Sequence, residues 1–355
     1  MVLIQENISL NEFTSMRLGG PAKYFCSCSS VEDLKEALRT ARSKNLPVHI
    51  LGGGSNTIFS DNGFNGFVVK INLKGISFYE TGNDVLARVQ AGEGWDPFVR
   101  LTVEKGFAGI ECLSGIPGMV GATPIQNVGA YGQEVKDAIE SVTVLERETL
   151  KETELKNEEC GFSYRTSRFK THDLGKYIVI EVKFRLTKNG RPAFHYPEVR
   201  KIVETSVNLS SLADGKESLE AVRNVVLSLR KKKSMVIDPN DPNTRSVGSF
   251  FLNPIVDDAM LTQIIAVWKK SGGGTPVPTF PFEDKTKVSA AWLIEKSGFK
   301  KGYTVNGVGI SGNHTLALVN YNGTTKALLE LAEEIRNGVE KMFNLHLELE
   351  ANVIS

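Results

Sequence analysis

Cysteine is scarce in this chain: Cys26, Cys28, Cys112 and Cys160 are the only four in 355 residues. Four scattered thiols cannot build a disulfide framework, and no set of Cys and His completes a zinc spacing. They read as plain reduced thiols. Net charge is equally small, with 42 Lys and Arg against 41 Asp and Glu for a formal +1. That balance gives no electrostatic case for nucleic acid or a membrane surface as the main partner. No apolar run approaches the ~18–20 residues that a membrane span needs. The opening MVLIQENISLNEF lacks the basic region and long apolar core of a signal peptide. Internal repeats and low-complexity tracts are also missing. The expectation is a cytoplasmic protein with no metal, no nucleic-acid partner and no membrane partner.

What is present is an ordinary globular composition, 41% hydrophobic and 23% charged, long enough for two or three domains. AKYFCSC reads as a strand. VEDLKEALRTARSK carries Leu34, Ala37, Leu38 and Ala41 at helical spacing, opened by Ser30 with Asp33 three residues on. PVHIL is a short buried strand, and GFVVKINL, DVLARVQAG, SVTVLER and YIVIEVKFRL continue in β style. LEAVRNVVLSLRKKK is an amphipathic helix with Leu219, Val222, Val226 and Leu229 on one face. VIDPNDPNTRS, residues 236–246, has the composition of a linker. Beyond it come helices at DDAMLTQIIAVWKK, VSAAWLIEKSG and TKALLELAEEIRNGVEKMF, a strand at HTLALVNY, and LHLELEANVIS as a final strand. The class is α+β with three domains.

Two stretches depart from this regular texture. In HILGGGSNTIFS a short strand runs into Gly52-Gly53-Gly54-Ser55-Asn56, which presents consecutive N–H groups with no Cβ in the way. Such a nest suits a pyrophosphate. No Lys-Ser/Thr follows, so it is not a P-loop, and it does not open a helix as GxGxxG does. By itself it is as readily a tight turn. The second stretch, GIECLSGIPGMVGATPIQNVGAYGQE from Gly109, is too aperiodic for a core helix and too apolar for a solvated loop. Segments so poor in bulky side chains let backbone approach a ligand closely.

NEFTSMRLGGPA, LGGGSN, AGEGW, LSGIPGMVGATPIQNVGAYGQE, CGFSYRTSRFK and SVGSFFLNP occur in this order. Together they resemble the UDP-N-acetylenolpyruvoylglucosamine reductase family, from about Asn11 to Ile354. The resemblance implies a vanillyl-alcohol-oxidase (PCMH)-type FAD-binding module of two subdomains plus a third α+β substrate-binding domain. The boundaries it suggests are 1–74, joined by the C-terminal strand 345–355, then 75–235, then 236–344. It implies non-covalent FAD held by Gly52, Gly53, Gly54, Ser55 and Asn56, and by Ile116, Pro117, Gly118, Gly121, Ala122, Gln126, Asn127, Gly129, Ala130 and Tyr131. It also implies NADPH as reductant and UDP-N-acetylglucosamine enolpyruvate as substrate, with UDP-N-acetylmuramate for peptidoglycan as product, made by a monomer.

The family chemistry sets three tasks for the protein: hold the substrate carboxylate, stabilise the charge that develops on it, and protonate the neighbouring carbon. Ser249, in VGSFFLNP, stands where the family places its proton donor; otherwise it is a turn serine beside two aromatics. Arg165, in FSYRTS, matches the arginine that grips the carboxylate with a planar fork; otherwise it is a surface arginine. Glu350 matches the catalytic acid, second of two glutamates that alternation puts on one strand face with Glu348; otherwise that face is solvated. Ala351 and Asn352 depart from the Val-Arg often found there. Arg230 and Lys233 match an Arg-x-x-Lys facing the UDP-sugar, although four cations at a helix end also suit its dipole. Met235 replaces a common proline. Tyr196 matches a tyrosine on a loop that folds over substrate, which places the chain with the longer form of the family. Tyr131 and Asn253 are further substrate contacts. None of the histidines is needed as a base. Two other readings stay open on the residues: an FAD oxidase of the same fold acting on a sugar or hydroxy acid, and a non-catalytic nucleotide-sugar binding module.

Overall fold

The computed structural model describes residues 2–194, 196–207 and 211–355, with the backbone alone at Ser206. They form two compact units. The first comprises Met1–Ile8, Ala22–Gly54 and Phe64–Val236; the second comprises Ser9–Pro21, Ser55–Gly63 and Ile237–Ser355.

The first unit begins with a four-stranded sheet in the order Ile4–Ser9, Pro21–Cys28, Phe64–Ile71, Val48–Leu51. Pro21–Cys28 and Val48–Leu51 both run parallel to Phe64–Ile71, with Phe25 opposite Val68 and Ile50 opposite Val69. Parallel pairing requires a crossover, and helix α1 (Val31–Ser43) supplies it. Its start is fixed by a capping box, in which Ser30 Oγ accepts from the Asp33 N–H and Asp33 accepts from the Ser30 N–H. Leu34, Ala37, Leu38 and Ala41 are buried as their spacing predicts.

A larger antiparallel sheet follows, ordered Glu152–Lys156, Ile139–Glu146, Tyr177–Lys188, Asp84–Gln90, Ile76–Thr81. Alternation along Asp84–Gln90 turns Val85, Ala87 and Val89 into the core. Helix α2 (Trp95–Glu104) packs Trp95 and Phe98 against Phe184 of the central strand, with ring centroids 5.8 and 5.2 Å away. Helices α3 (Pro197–Ser206) and α4 (Lys216–Lys232) make a smaller cluster, Val199 and Val203 against Val222, Val226 and Leu229. The glycine-rich stretch after Gly109 adopts turns and short 3₁₀ pieces. It ends in a hairpin of Gly129–Ala130 with Gln133–Glu134.

In the second unit, helices α5 (Asp258–Lys270), α6 (Ala290–Lys296) and α7 (Thr325–Phe343) are each N-capped by the preceding side chain, Asp257, Ser289 and Thr324. Leu328, Leu331, Ile335, Val339 and Phe343 form one face of α7 and meet Leu293, Val308, Ile310, Phe250 and Phe251 in a separate core. Two remote segments are tied in. Asn320 Nδ2 donates to the Met16 carbonyl at 2.9 Å, and Thr325 Oγ1 donates to the Phe59 carbonyl at 2.7 Å.

The C-terminal strand is shorter than expected. Regular pairing covers only Asn352–Ile354, parallel to Thr57–Phe59 with Val353 opposite Ile58. The stretch before it, containing Glu348 and Glu350, is extended but makes a single bridge, Leu349 to Phe251. Among the described residues no helix is long and apolar enough to cross a membrane.

Candidate active site

The three glycines leave the end of the Val48–Leu51 strand in the first unit. Among the described residues, no acceptor takes the N–H of Gly52, Gly53 or Gly54. Three successive uncommitted donors are what an anion-binding nest requires. The glycines serve different ends. A Cβ on Gly53 would lie 2.8 Å from Gly118 Cα, so the loop and the GIPG turn touch backbone to backbone. The positive φ belongs to Gly54, at 63°. Gly52 has ordinary room, with Ala122 Cβ at 3.7 Å. The opposing turn is equally tight, since a Cβ on Gly121 would meet Ala91 Cβ at 2.5 Å. These backbone approaches fit a dinucleotide pyrophosphate. Ser55 and Asn56 already lie in the second unit.

His49, three residues before the loop, is buried. Burial, and then the charge of Arg147, lower its pKa to about 4, so its imidazole is neutral at physiological pH.

The hairpin turn at Tyr131-Gly132 has φ of 52° and 85°, the two positive values that a two-residue turn of matching twist demands. Arg165 also has positive φ, 52°, and its guanidinium donates to the Gly129 carbonyl at 2.7 Å. Asn127 is fully buried. Its Nδ2 donates to Glu134 and to the Ser163 carbonyl, both at 2.9 Å, and its Oδ1 accepts from Lys136 N–H. Asn127 therefore shapes the loop, joining the hairpin to the turn that carries Arg165.

Tyr196 immediately precedes α3 and sets its ring edge-on to Tyr131, centroids 5.6 Å apart. Lys233, just past the end of α4, lies with Nζ 5.8 Å from the Tyr131 ring and donates to Glu198 Oε2 at 2.9 Å. Burial pulls the Lys233 pKa down, but the bond to Glu198 and nearby negative charge outweigh it and the net shift is upward. Arg230 is held by Met235: its Nη2 donates to the Met235 carbonyl at 2.9 Å, and the Met235 N–H donates back to the Arg230 carbonyl at 2.9 Å. A proline at 235 could not make that second bond. Arg230 Nε is shut from solvent and finds no hydrogen-bond partner among the described residues. Burial lowers the Arg230 pKa, and Arg165 adds to the effect through like charge. Three cations, Arg165, Arg230 and Lys233, thus gather around Tyr131.

Sequence reasoning overlooked two acids in this unit. Glu198 reads as an ordinary first-turn helix acid. Glu111 sits in an apolar context yet is fully buried, accepting from Gly109 N–H at 2.8 Å and from Gln133 Nε2 and Ala193 N–H at 2.9 Å each. It fastens the segment leading to Tyr196.

In the second unit, Ser249 precedes Phe250 and Phe251, whose rings are fully buried. The backbone there is clamped on both sides. Phe250 N–H donates to Leu316 O, Glu350 N–H donates to Phe250 O, and Leu252 N–H donates to Glu348 O. Ser249 and Glu350 therefore lie on neighbouring bonded segments. Asn56 Nδ2 adds a bond to the Glu350 carbonyl at 3.0 Å. Asn253 Oδ1 accepts from Ala290 N–H at 2.9 Å, at the first residue of α6. No group of His, Cys, Asp and Glu among the described residues could hold a metal ion.

Comparison with known proteins agrees with this layout. The FAD binding domain family matches residues 22–149, and the family "UDP-N-acetylenolpyruvoylglucosamine reductase, C-terminal domain" matches residues 239–354. The UDP-N-acetylenolpyruvoylglucosamine reductase of Thermobifida fusca (strain YX) is 45% identical over 349 residues, 96% of this chain and 95% of that protein. That of Salinispora arenicola (strain CNS-205) is 42% identical over 353 residues, 98% and 94% of the two. The crystal structure of the Thermus caldophilus reductase covers 100% of both chains at a TM-score of 0.68 and 24% identity, a likeness of fold.

Proposed function

The chain belongs to the UDP-N-acetylenolpyruvoylglucosamine reductase family, and from that premise we propose which of its residues carry the family reaction. The protein is a UDP-N-acetylmuramate dehydrogenase, using FAD and NADPH in peptidoglycan precursor synthesis. FAD, when bound, would supply the hydride chemistry that links NADPH to the enolpyruvyl double bond.

The nest at Gly52–Gly54 and the turn at Ile116–Ala122 would hold the FAD pyrophosphate, and the hairpin around Gly129–Tyr131 would hold the cofactor as well. Arg165 receives the substrate carboxylate and stabilises the charge that grows on it. Ser249 donates its hydroxyl proton to the carbon beside that carboxylate. A hydroxyl is a weak acid, but a carbanion is a strong enough base to take its proton. Glu350, one bonded segment away, assists that transfer. Lys233 takes a substrate phosphate, Arg230 faces the UDP-sugar, and Tyr131, Tyr196 and Asn253 are further substrate contacts. The single observation behind the catalytic assignment is the clamp that sets the backbone of Ser249-Phe250 against Glu350. The reading also keeps 1–74 with 345–355, 75–235, and 236–344 as functional divisions. It takes the enzyme to be a cytoplasmic monomer acting on UDP-N-acetylglucosamine enolpyruvate.

The test separates the two halves of the reaction. NADPH oxidation by the wild type should depend on the enolpyruvyl sugar. Ser249→Ala should be reduced by NADPH at nearly the wild-type rate in stopped flow, while reoxidation by the sugar should fall by about 10²–10⁴, the range for a positioned proton donor. Equal slowing of both halves would make the serine structural and move the acid to Glu350.

A further inference from the structure

Lys233 is already occupied by an anion that belongs to the protein. Glu198 Oε2 accepts from its ammonium at 2.9 Å, and the Glu198 side chain is 41% exposed against 33% for Lys233. Glu198 is the second residue of α3, the helix that Tyr196 opens. Besides the apolar packing of Val199 and Val203 on α4, the Tyr196–Tyr131 ring pair and the Glu198–Lys233 ion pair tie the start of α3 to the cationic site. An acid in a first helical turn is favoured by the dipole wherever its side chain points. The dipole does not explain why the carboxylate reaches across to the C-terminal end of α4.

We infer that Glu198 is an internal stand-in for the substrate's phosphate, occupying Lys233 until the nucleotide arrives and then yielding it. This rests on the assignment of Lys233 to a substrate phosphate. A carboxylate and a phosphate on one ammonium would stand a few ångströms apart with like charge, which disfavours simultaneous occupancy. Glu198 has a way out, because its exposed side chain can rotate into water. Lys233 remains near the Tyr131 face in either state, so the ammonium is presented to the nucleotide already oriented. The exchange releases the one ion pair between the start of α3 and the cationic site at the moment the nucleotide binds, while the apolar packing of α3 on α4 stays. Glu198 is thus a positioning and selectivity residue. It keeps the ammonium committed against weak anions and gives way to a diphosphate, which brings more charge and further contacts.

The test is calorimetric titration of the FAD-loaded enzyme with UDP, and with uridine as the phosphate-free probe. Glu198→Gln keeps the shape and removes the charge. It should bind UDP about two- to five-fold more tightly at low salt, the range of a partly exposed ion pair. Uridine affinity should not change. The gap should close as salt rises, since screening weakens the internal pair. In a Lys233→Met background, Glu198→Gln should have no effect on UDP. Unchanged or weaker UDP binding by Glu198→Gln, while Lys233→Met still weakens it, would overturn the exchange and leave the Lys233 assignment standing. Equal tightening of uridine would overturn it as well, pointing to a looser α3. Unchanged UDP binding by Lys233→Met would overturn the Lys233 assignment itself, and the exchange with it.

Discussion

Gly53 and Gly54 are adjacent glycines kept small by different constraints. At Gly54 the constraint is φ, 63°, which costs a side-chain-bearing residue about 1 kcal/mol or somewhat more. At Gly53 it is space, because Gly118 Cα would stand 2.8 Å from a new Cβ and no real Cβ contact is that short. Gly53→Val must therefore push the GIPG turn away. The purified variant should be colourless with a native far-ultraviolet circular dichroism spectrum; full flavin absorbance would refute the loop assignment. The triple glycine and its anion-binding use are legible in the sequence. The identity of the obstructing atom is not, since Gly118 lies 65 residues on and only the fold brings it near. The same limit applies to Asn127 and Asn253. Their motif membership is visible in the chain, but the bonds that occupy Asn127 entirely and take Asn253 Oδ1 are made to residues that no local pattern points to.

Between elements, one carboxylate joins three pieces of the first unit. Asp96, in the first turn of α2, accepts from the Gly115 N–H at 2.6 Å at the start of the GIPG turn. It also takes both arms of Arg223 on α4, at 2.7 and 2.9 Å. Arg223 is nearly buried. Burial raises the Asp96 pKa, but the bonds from Arg223 and Gly115 outweigh it and leave the pKa below its usual value. The lowered folded value means that the ionised form is bound more tightly in the native state. That stability is present above the unfolded carboxylate pKa of about 3.9 and is lost as pH falls through the folded value. Asp96→Asn should cost about 2–4 kcal/mol in urea unfolding at pH 7, by removing the charge of the carboxylate paired with a buried guanidinium. The deficit should shrink as pH falls below the unfolded carboxylate value and through the lower folded one; a deficit independent of pH would mean that charge plays no part. Elements were legible where their pattern is internal. The Ser30–Asp33 cap and the apolar faces of α1 and α4 follow from spacing alone. The final strand was not, because a ladder depends on a partner. Residues 347–350 alternate like a strand but run beside Phe250–Leu252 with only one bridge, and regular pairing waits for Thr57–Phe59.

For the whole molecule, sequence order misleads most. Residues 9–21 and 55–63 belong with the C-terminal unit, through bonds such as Asn320 to Met16 that span 304 positions. Composition carries no trace of such pairings. The family motifs appear in one order along the chain, while the chain passes between the units five times. The two cores are nevertheless distinguishable in solution, because the three tryptophans are divided between them. Trp95 is in the first unit; Trp268 and Trp292 are in the second, packed edge to face at 5.2 Å. Trp95 is also wired to the turn proposed to hold FAD. Its N–H donates to Gly118 O and its Nε1 to Leu113 O, each at 3.0 Å. A Trp268→Phe/Trp292→Phe variant leaves Trp95 as the sole indole reporter. A ligand that binds only the native state stabilises it by about 4 kcal/mol at 1,000 times its Kd. FAD added at that level to the apoprotein should therefore raise the urea midpoint reported by Trp95 fluorescence, with the denaturant slope unchanged. Gly53→Val in the same background should show no such rise. A midpoint that ignores FAD in the parent variant would place the cofactor away from the Gly52–Gly54 nest and the turn at Gly118.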